Sequence, residues 1–344
     1  MKKTLLAFFV VITAITVPLA NMFAQSTAMF PIDVGGDWGF MDKTGNVVIE
    51  PQFTEAGDFS EGLAKVSVDW KWGYIDQTGK FVIKPQYDMA GDFSEGRAAV
   101  CVNGRWGFID KTGKIVVEPK YVQVWTFYNG MAPVNAGRLG GITDNKWGFV
   151  NIDGKVVIEP QFMWVTLSKQ GLAGVRVGKD PKTAKWGYMD TTGNYVISPQ
   201  FDDAWYFCQG LARVRVGNKW GYINQSGQYV VEPQFGGAGY FSLGLAPVYS
   251  DGKYGYIDTK GNMVIQPQFE DAYPFSDFTA RVKKDGKTCF IDMKGKVLFS
   301  IECAWAEDFS NGLAKVWWRD DDMDGEYYFF GYVDKTGKMV WKTK

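Results

Sequence analysis

The chain of 344 residues carries 41 glycines, 14 tryptophans, 25 phenylalanines, 17 tyrosines and no histidine, with 46% hydrophobic residues. That apolar content excludes a disordered chain, and glycine without a Gly-X-Y period excludes collagen. The missing histidine removes Ser-His-Asp and Cys-His triads, His-ligated metals and the usual near-neutral proton shuttle, which leaves carboxylate, lysine or thiol chemistry to any enzyme.

Met1-Lys2-Lys3 leads into an apolar stretch that runs to about Ala20. A basic start, a short apolar core and a small-residue exit predict a signal peptide over residues 1–24, cleaved after Ala24 or after Ala28. The stretch is short for a membrane span and Pro18 interrupts its end, so no span is expected in the mature chain. The expected address is secreted, periplasmic or cell-surface. Without Lys2 and Lys3 the chain has 35 basic and 38 acidic residues, a net charge of −3. With no basic excess, nucleic acid is not an expected partner. Cys101, Cys208, Cys289 and Cys303 form no CxxC motif and no disulfide framework. Export would permit a bond between Cys289 and Cys303, the only pair close in sequence, but isolated thiols are the reading preferred here.

Residues 29–344 read as one repeat domain. Trp38-Gly39-Phe40-Met41-Asp42 returns at Trp72, Trp106, Trp147, Trp186 and Trp220, then at Tyr254, Thr288 and Phe330, in steps of 34, 34, 41, 39, 34, 34, 34 and 42 residues. Eight units are full length and a ninth is truncated. Seven residues after the tryptophan position every copy has glycine, as in Asp42-Lys43-Thr44-Gly45, which predicts a type I turn closed by a left-handed residue. A β-branched run such as Val47-Val48-Ile49 follows, then a proline expected to end the strand or mark an edge. A third strand holds Ala and Val two apart, as in Ala64 and Val66, so both face one side. Each unit of about 34 residues is thus expected to form three short antiparallel strands, too few to bury their own face.

The Trp-Gly-Tyr/Phe-Ile-Asp start, the Glu-Pro-Gln-Phe segment and the Phe-Ser-Glu-Gly-Leu-Ala ending resemble WG repeats, also called KWG repeats, across the chain from about Phe30 onward. The resemblance implies a bacterial repeat scaffold without an assigned activity. The fold class is all-β, and an open solenoid or superhelical array of stacked units is expected. The alternative is a closed, β-propeller-like ring, for which one N-terminal strand around Ile32 and the C-terminal hairpin would together complete a unit.

The three long steps gain residues at one point of the unit, so their loops are expected along one edge. The last insertion places Asp320, Asp322, Asp324 and Glu326 in a D-x-D-x-D-G order, the first half of a calcium loop, and marks them as a candidate Ca2+ site. Six tryptophans at the repeat position read as core. Trp125, Trp205 and Tyr273 share a column that elsewhere holds glycine, and together with Trp164, Trp305, Trp317 and Trp318 they are the candidate binding residues. The recurrent hairpin aspartates read as turn residues, so no catalytic residue is assigned. The expected function is an exported, non-catalytic scaffold that binds protein or glycan at the bacterial cell envelope. The alternatives are a carbohydrate-active enzyme using Asp or Glu and an envelope spacer with no specific ligand.

Overall fold

The computed structural model describes residues 28–137, 146–319 and 328–343. Among them are nine antiparallel sheets, eight of four strands and one of three, and every sheet is a simple meander in chain order. Blade 6 shows the pattern with strands Asp203–Ala204, Leu211–Val216, Lys219–Asn224 and Tyr229–Phe235. The first strand is two residues long, and this is how a unit of about 34 residues supplies four strands rather than the expected three. Side chains just after these short strands converge at the centre. Lys169 of blade 5 lies over Tyr128 of blade 4 and Tyr206 of blade 6, its Nζ 4.8 and 4.1 Å from the ring centroids.

The predicted hairpin is present: the Gly227 amide donates to the Asn224 carbonyl at 2.9 Å, and Gly227 has a φ of 84°. The proline does not end its strand. Trp220 pairs with Phe235 and Tyr222 with Val231, so the outer strand bulges through Glu232-Pro233-Gln234 and then continues. The bulge explains the glycine beside the tryptophan. A Cβ on Gly221 would stand 2.5 Å from the Val231 carbonyl oxygen, so only glycine admits the crossing strand.

The core lies between blades. The aromatic after each Trp-Gly pair is fully buried, as with Tyr74, Tyr188, Tyr222 and Tyr256, all 0% exposed. It meets the phenylalanine of the next blade edge-on or tilted, as in Tyr74–Phe93 and Tyr222–Phe241, each with centroids 4.8 Å apart. Where that aromatic is tyrosine, its hydroxyl donates to a backbone carbonyl of the next blade, from Tyr74 to Gly91 and from Tyr222 to Gly239. The Phe-Ser-Glu-Gly turns add a second tie: Glu61 accepts the amides of Glu95 and Gly96, and Glu95 accepts those of Asn129 and Gly130.

The same contacts join the ends of the chain, so the expectation of an open array is wrong. Hairpin glycines pack on the outer strand of the preceding blade, Gly79 on Ile49 and Gly113 on Ile83, and Gly45 of blade 1 packs on Val340 of blade 9. Trp38 stacks on Phe330 at 5.6 Å, and Phe30 and Ile32 share a buried cluster with Leu313 and Tyr332. The molecule is a nine-bladed β-propeller. Its closure also differs from the expected composite unit, because the N-terminal strand Met29–Val34 pairs with Asp37–Asp42 rather than with the C-terminal hairpin. Blades 1 and 9 therefore meet face to face.

Candidate ligand-binding site

Three of the predicted tryptophans converge. Trp125, Trp164 and Trp205 come from blades 4, 5 and 6 and line one apolar cavity of about 640 Å3. Trp164 and Trp205 are 41% and 43% exposed, far more than indoles ordinarily leave in water. Trp125 and Trp164 meet edge-on with centroids 6.0 Å apart, and both pack on the fully buried Trp147 at 5.1 and 5.8 Å. Trp205 is held from below by the Arg213 guanidinium, 4.5 Å from its ring. The indoles are thus fixed by packing and cation–π contact while their outer faces stay open.

Polar groups at the rim are few. Asp203 accepts the Ala204 amide at 2.9 Å and lies 3.9 Å from Arg215, and Thr166 accepts the Gly174 amide at 2.8 Å. Burial pushes the Tyr206 phenol up to about 12, so it is a neutral hydrogen-bonding group at physiological pH. Among the described residues, Asp203 is the one carboxylate on the cavity wall.

The described parts of two of the three insertions, those of blades 4 and 5, lie on strands that carry this site. Trp164 pairs with Arg176 at the end of its strand, and Arg176 donates to the Pro181 carbonyl within the blade 5 insertion. Gln123, two residues before Trp125, pairs with Asn135 at the root of the blade 4 insertion.

The other predicted aromatics lie elsewhere. Tyr273 in blade 8 covers Arg281, whose guanidinium carbon is 3.5 Å from the ring. Trp305 packs on Trp317 at 4.5 Å and Trp318 stacks on Phe329 at 5.6 Å, both within blade 9. Asp320, Asp322, Asp324 and Glu326 lie outside the described residues, as does the predicted signal peptide. Among the described residues no group of three metal-ligating side chains converges. Cys101, Cys208, Cys289 and Cys303 are all free, so Cys289 and Cys303 are not bonded to one another.

Trp186, read as core, is buried and also lines the cavity, whereas sequence reasoning missed Tyr206. Only Trp147 and Trp186 of the repeat-position tryptophans are buried; Trp38, Trp72, Trp106 and Trp220 are half-buried. The signal for Tyr206 was in the sequence: its column holds Asp58, Asp92 and Asp308 in three other blades.

A WG containing repeat model matches eight times, over residues 38–71, 72–106, 106–137, 147–179, 186–220, 220–254, 254–287 and 290–316. The chain belongs to the WG-repeat family. A search of curated proteins gave no match. The fold is similar to that of a eukaryotic initiation factor crystal structure, at 14% identity and a TM-score of 0.64, covering 92% of this chain and 96% of that one. Weaker likenesses are a protein of unknown function from Bacteroides caccae (15% identity, TM-score 0.29, 62% of this chain and 94% of that one) and puromycin hydrolase (12%, 0.39, 92% and 54%). No helix among the described residues is long and apolar enough to cross a membrane.

Proposed function

We propose that this WG-repeat propeller is an exported, non-catalytic scaffold that binds a glycan at the bacterial cell envelope through the Trp125–Trp164–Trp205 cavity. The convergence of three partly open indoles from consecutive blades carries the reading. The apolar face of a pyranose stacks on an indole, and a rim of a few hydrogen-bonding groups orients its hydroxyls. The volume suits a short oligosaccharide. Glycoside hydrolysis by a pair of acids needs two carboxyl groups flanking the scissile bond, and among the described residues the cavity wall offers Asp203 alone. Binding without turnover is therefore favoured over a carbohydrate-active enzyme.

A glycan array probed with the full-length protein tests this reading. Retention of defined oligosaccharides that is lost on Trp164→Ala supports it. Retention of none counts for a spacer with no ligand, and release of reducing sugar from a retained glycan counts for the enzyme.

A further inference from the structure

The wall of the three-tryptophan cavity is poor in free hydrogen-bonding groups, and this narrows the kind of sugar it takes. Beyond the three indoles, most of the wall is Trp186, Val165, Leu167 and Ala204. Thr166 is already engaged within its own blade: its hydroxyl accepts the Gly174 amide at 2.8 Å and donates to the Leu167 carbonyl at 3.3 Å. Asp203 is engaged on one side only. Its Oδ1 accepts the Ala204 amide at 2.9 Å, whereas Oδ2 stands 3.9 Å from the Arg215 guanidinium, beyond hydrogen-bond distance.

A pyranose that enters such a cavity gives up water at each hydroxyl it buries, and a hydroxyl that finds no partner there is costly. An acetamido group in place of one hydroxyl shifts that balance. Its methyl adds apolar surface for the indole faces, and its N–H is a single donor suited to a carboxylate oxygen, a pairing stronger than one between neutral groups.

Charge argues against the two ionic alternatives. A uronic acid would need a base on the wall, but the nearby guanidinium groups are turned to other partners: Arg215 donates to the Gly217 carbonyl and Arg213 to the Ala238 carbonyl. The charged side chain that lines the cavity is instead a carboxylate. A free amino sugar would bring an ammonium toward Asp203, yet Arg215 lies beside that carboxylate and Arg213 lies against Trp205, 4.5 Å from its ring. Two cations offset the one anion, so an ammonium would lose water for little net attraction. A neutral group that carries one N–H meets neither penalty.

We propose, building on the glycan reading above, that the cavity selects N-acetylated hexosamines, with the acetamido methyl against the indoles and its N–H donated to Asp203 Oδ2. Stacking on tryptophan is common to all sugars with an apolar face, and the acetamido contact supplies the discrimination.

The test is calorimetric titration of the full-length protein with trisaccharides that share linkage and ring stereochemistry and differ only at the second carbon of each ring. These are the N-acetylglucosamine trimer of chitin, the glucosamine trimer of chitosan and the glucose trimer of cellulose. The acetylated trimer is expected to bind about tenfold more tightly than either of the others. Asp203→Ala is expected to remove that preference, and Asp203→Asn, which keeps an oxygen acceptor, to retain part of it, with melting temperatures checked in parallel. Equal affinity for the acetylated and glucose trimers, tighter binding of the glucosamine trimer, or a preference unchanged in Asp203→Ala overturns the proposal and leaves the glycan reading standing. Binding of no trimer while the array retains other glycans overturns it likewise. Retention of no glycan at all overturns the reading on which it rests.

Discussion

The Tyr332 hydroxyl donates a 2.9 Å hydrogen bond to the carbonyl oxygen of Pro31, 301 residues earlier in the chain. Tyr332 is the blade 9 counterpart of Tyr222, which donates to Gly239, 17 residues ahead in sequence, although Gly239 belongs to the segment after a short first strand and Pro31 to the column of Pro247. One repeated donor becomes a ring closure because the next blade is the first. Closure by side-chain packing, without a shared sheet, makes this seam depend on a few residues.

Tyr332→Phe removes that bond and leaves a buried carbonyl unpaired, so it is expected to cost about 1–3 kcal/mol. Urea unfolding followed by tryptophan fluorescence measures it. An open array would show no loss, because Pro31 and Tyr332 would never meet.

Gly45 separates strain from seam packing. Gly45 and Gly62 have φ of 92° and 87°, but a Cβ on Gly45 would stand 2.9 Å from the Val340 carbonyl, while one on Gly62 meets nothing within 4 Å. Alanine at either site incurs left-handed strain of about 1 kcal/mol, and only Gly45→Ala must also push blade 9 away. The Gly45 variant is expected to melt at clearly lower temperature than the Gly62 variant. Equal melting temperatures would mean that the ends do not touch.

At the tryptophan cavity, Trp164→Ala and Trp205→Ala are each expected to weaken glycan binding about tenfold, about 1.4 kcal/mol, by removing one stacking face. Trp318→Ala in blade 9 should leave affinity unchanged, since its ring is occupied by Phe329 and its indole nitrogen donates to Glu302. A loss at Trp318 equal to that at Trp164 would move the site to blade 9.

The hairpin aspartates predict an acid limb of stability. The Thr44 hydroxyl holds Asp42 down to about 2, and equivalent threonine hydroxyls lower Asp76, Asp110 and Asp190. Folded values below the unfolded ones mean a contribution that is present above about pH 4 and lost as pH falls through the folded values. Melting temperature should therefore drop between pH 5 and pH 2, and Asp76→Asn should lessen the drop. A melting temperature that holds level over that range would contradict the hydrogen-bonded turns.

The repeat columns made most of this architecture legible before any coordinates. Gly227 announced its hairpin, and Ala64 with Val66 announced a one-sided strand. Closure was not legible, because a strand as short as Asp203–Ala204 is too brief to show an alternating pattern. Without it, a unit of this length reads as three strands and argues against a propeller. Nor does the sequence say that Pro31 lies beside Tyr332, since curvature accumulates from packing angles between blades. At the candidate site, the column shared by Trp125 and Trp205, which departs from glycine, holds two rings of one cavity. Tyr273 obeys the same rule yet serves as a cover for Arg281. Trp205 likewise sits over an arginine, Arg213, yet keeps an open face, so the column picks out the rings without assigning what each one does.

The most direct measurement is a titration of the intact protein's tryptophan fluorescence with an oligosaccharide retained on the array, in parallel with Trp164→Ala and Trp205→Ala. A saturable change in emission that weakens about tenfold in each variant, with the melting temperature unchanged, is the predicted result. Equal titration curves for the wild type and both variants would contradict a glycan site in the three-tryptophan cavity.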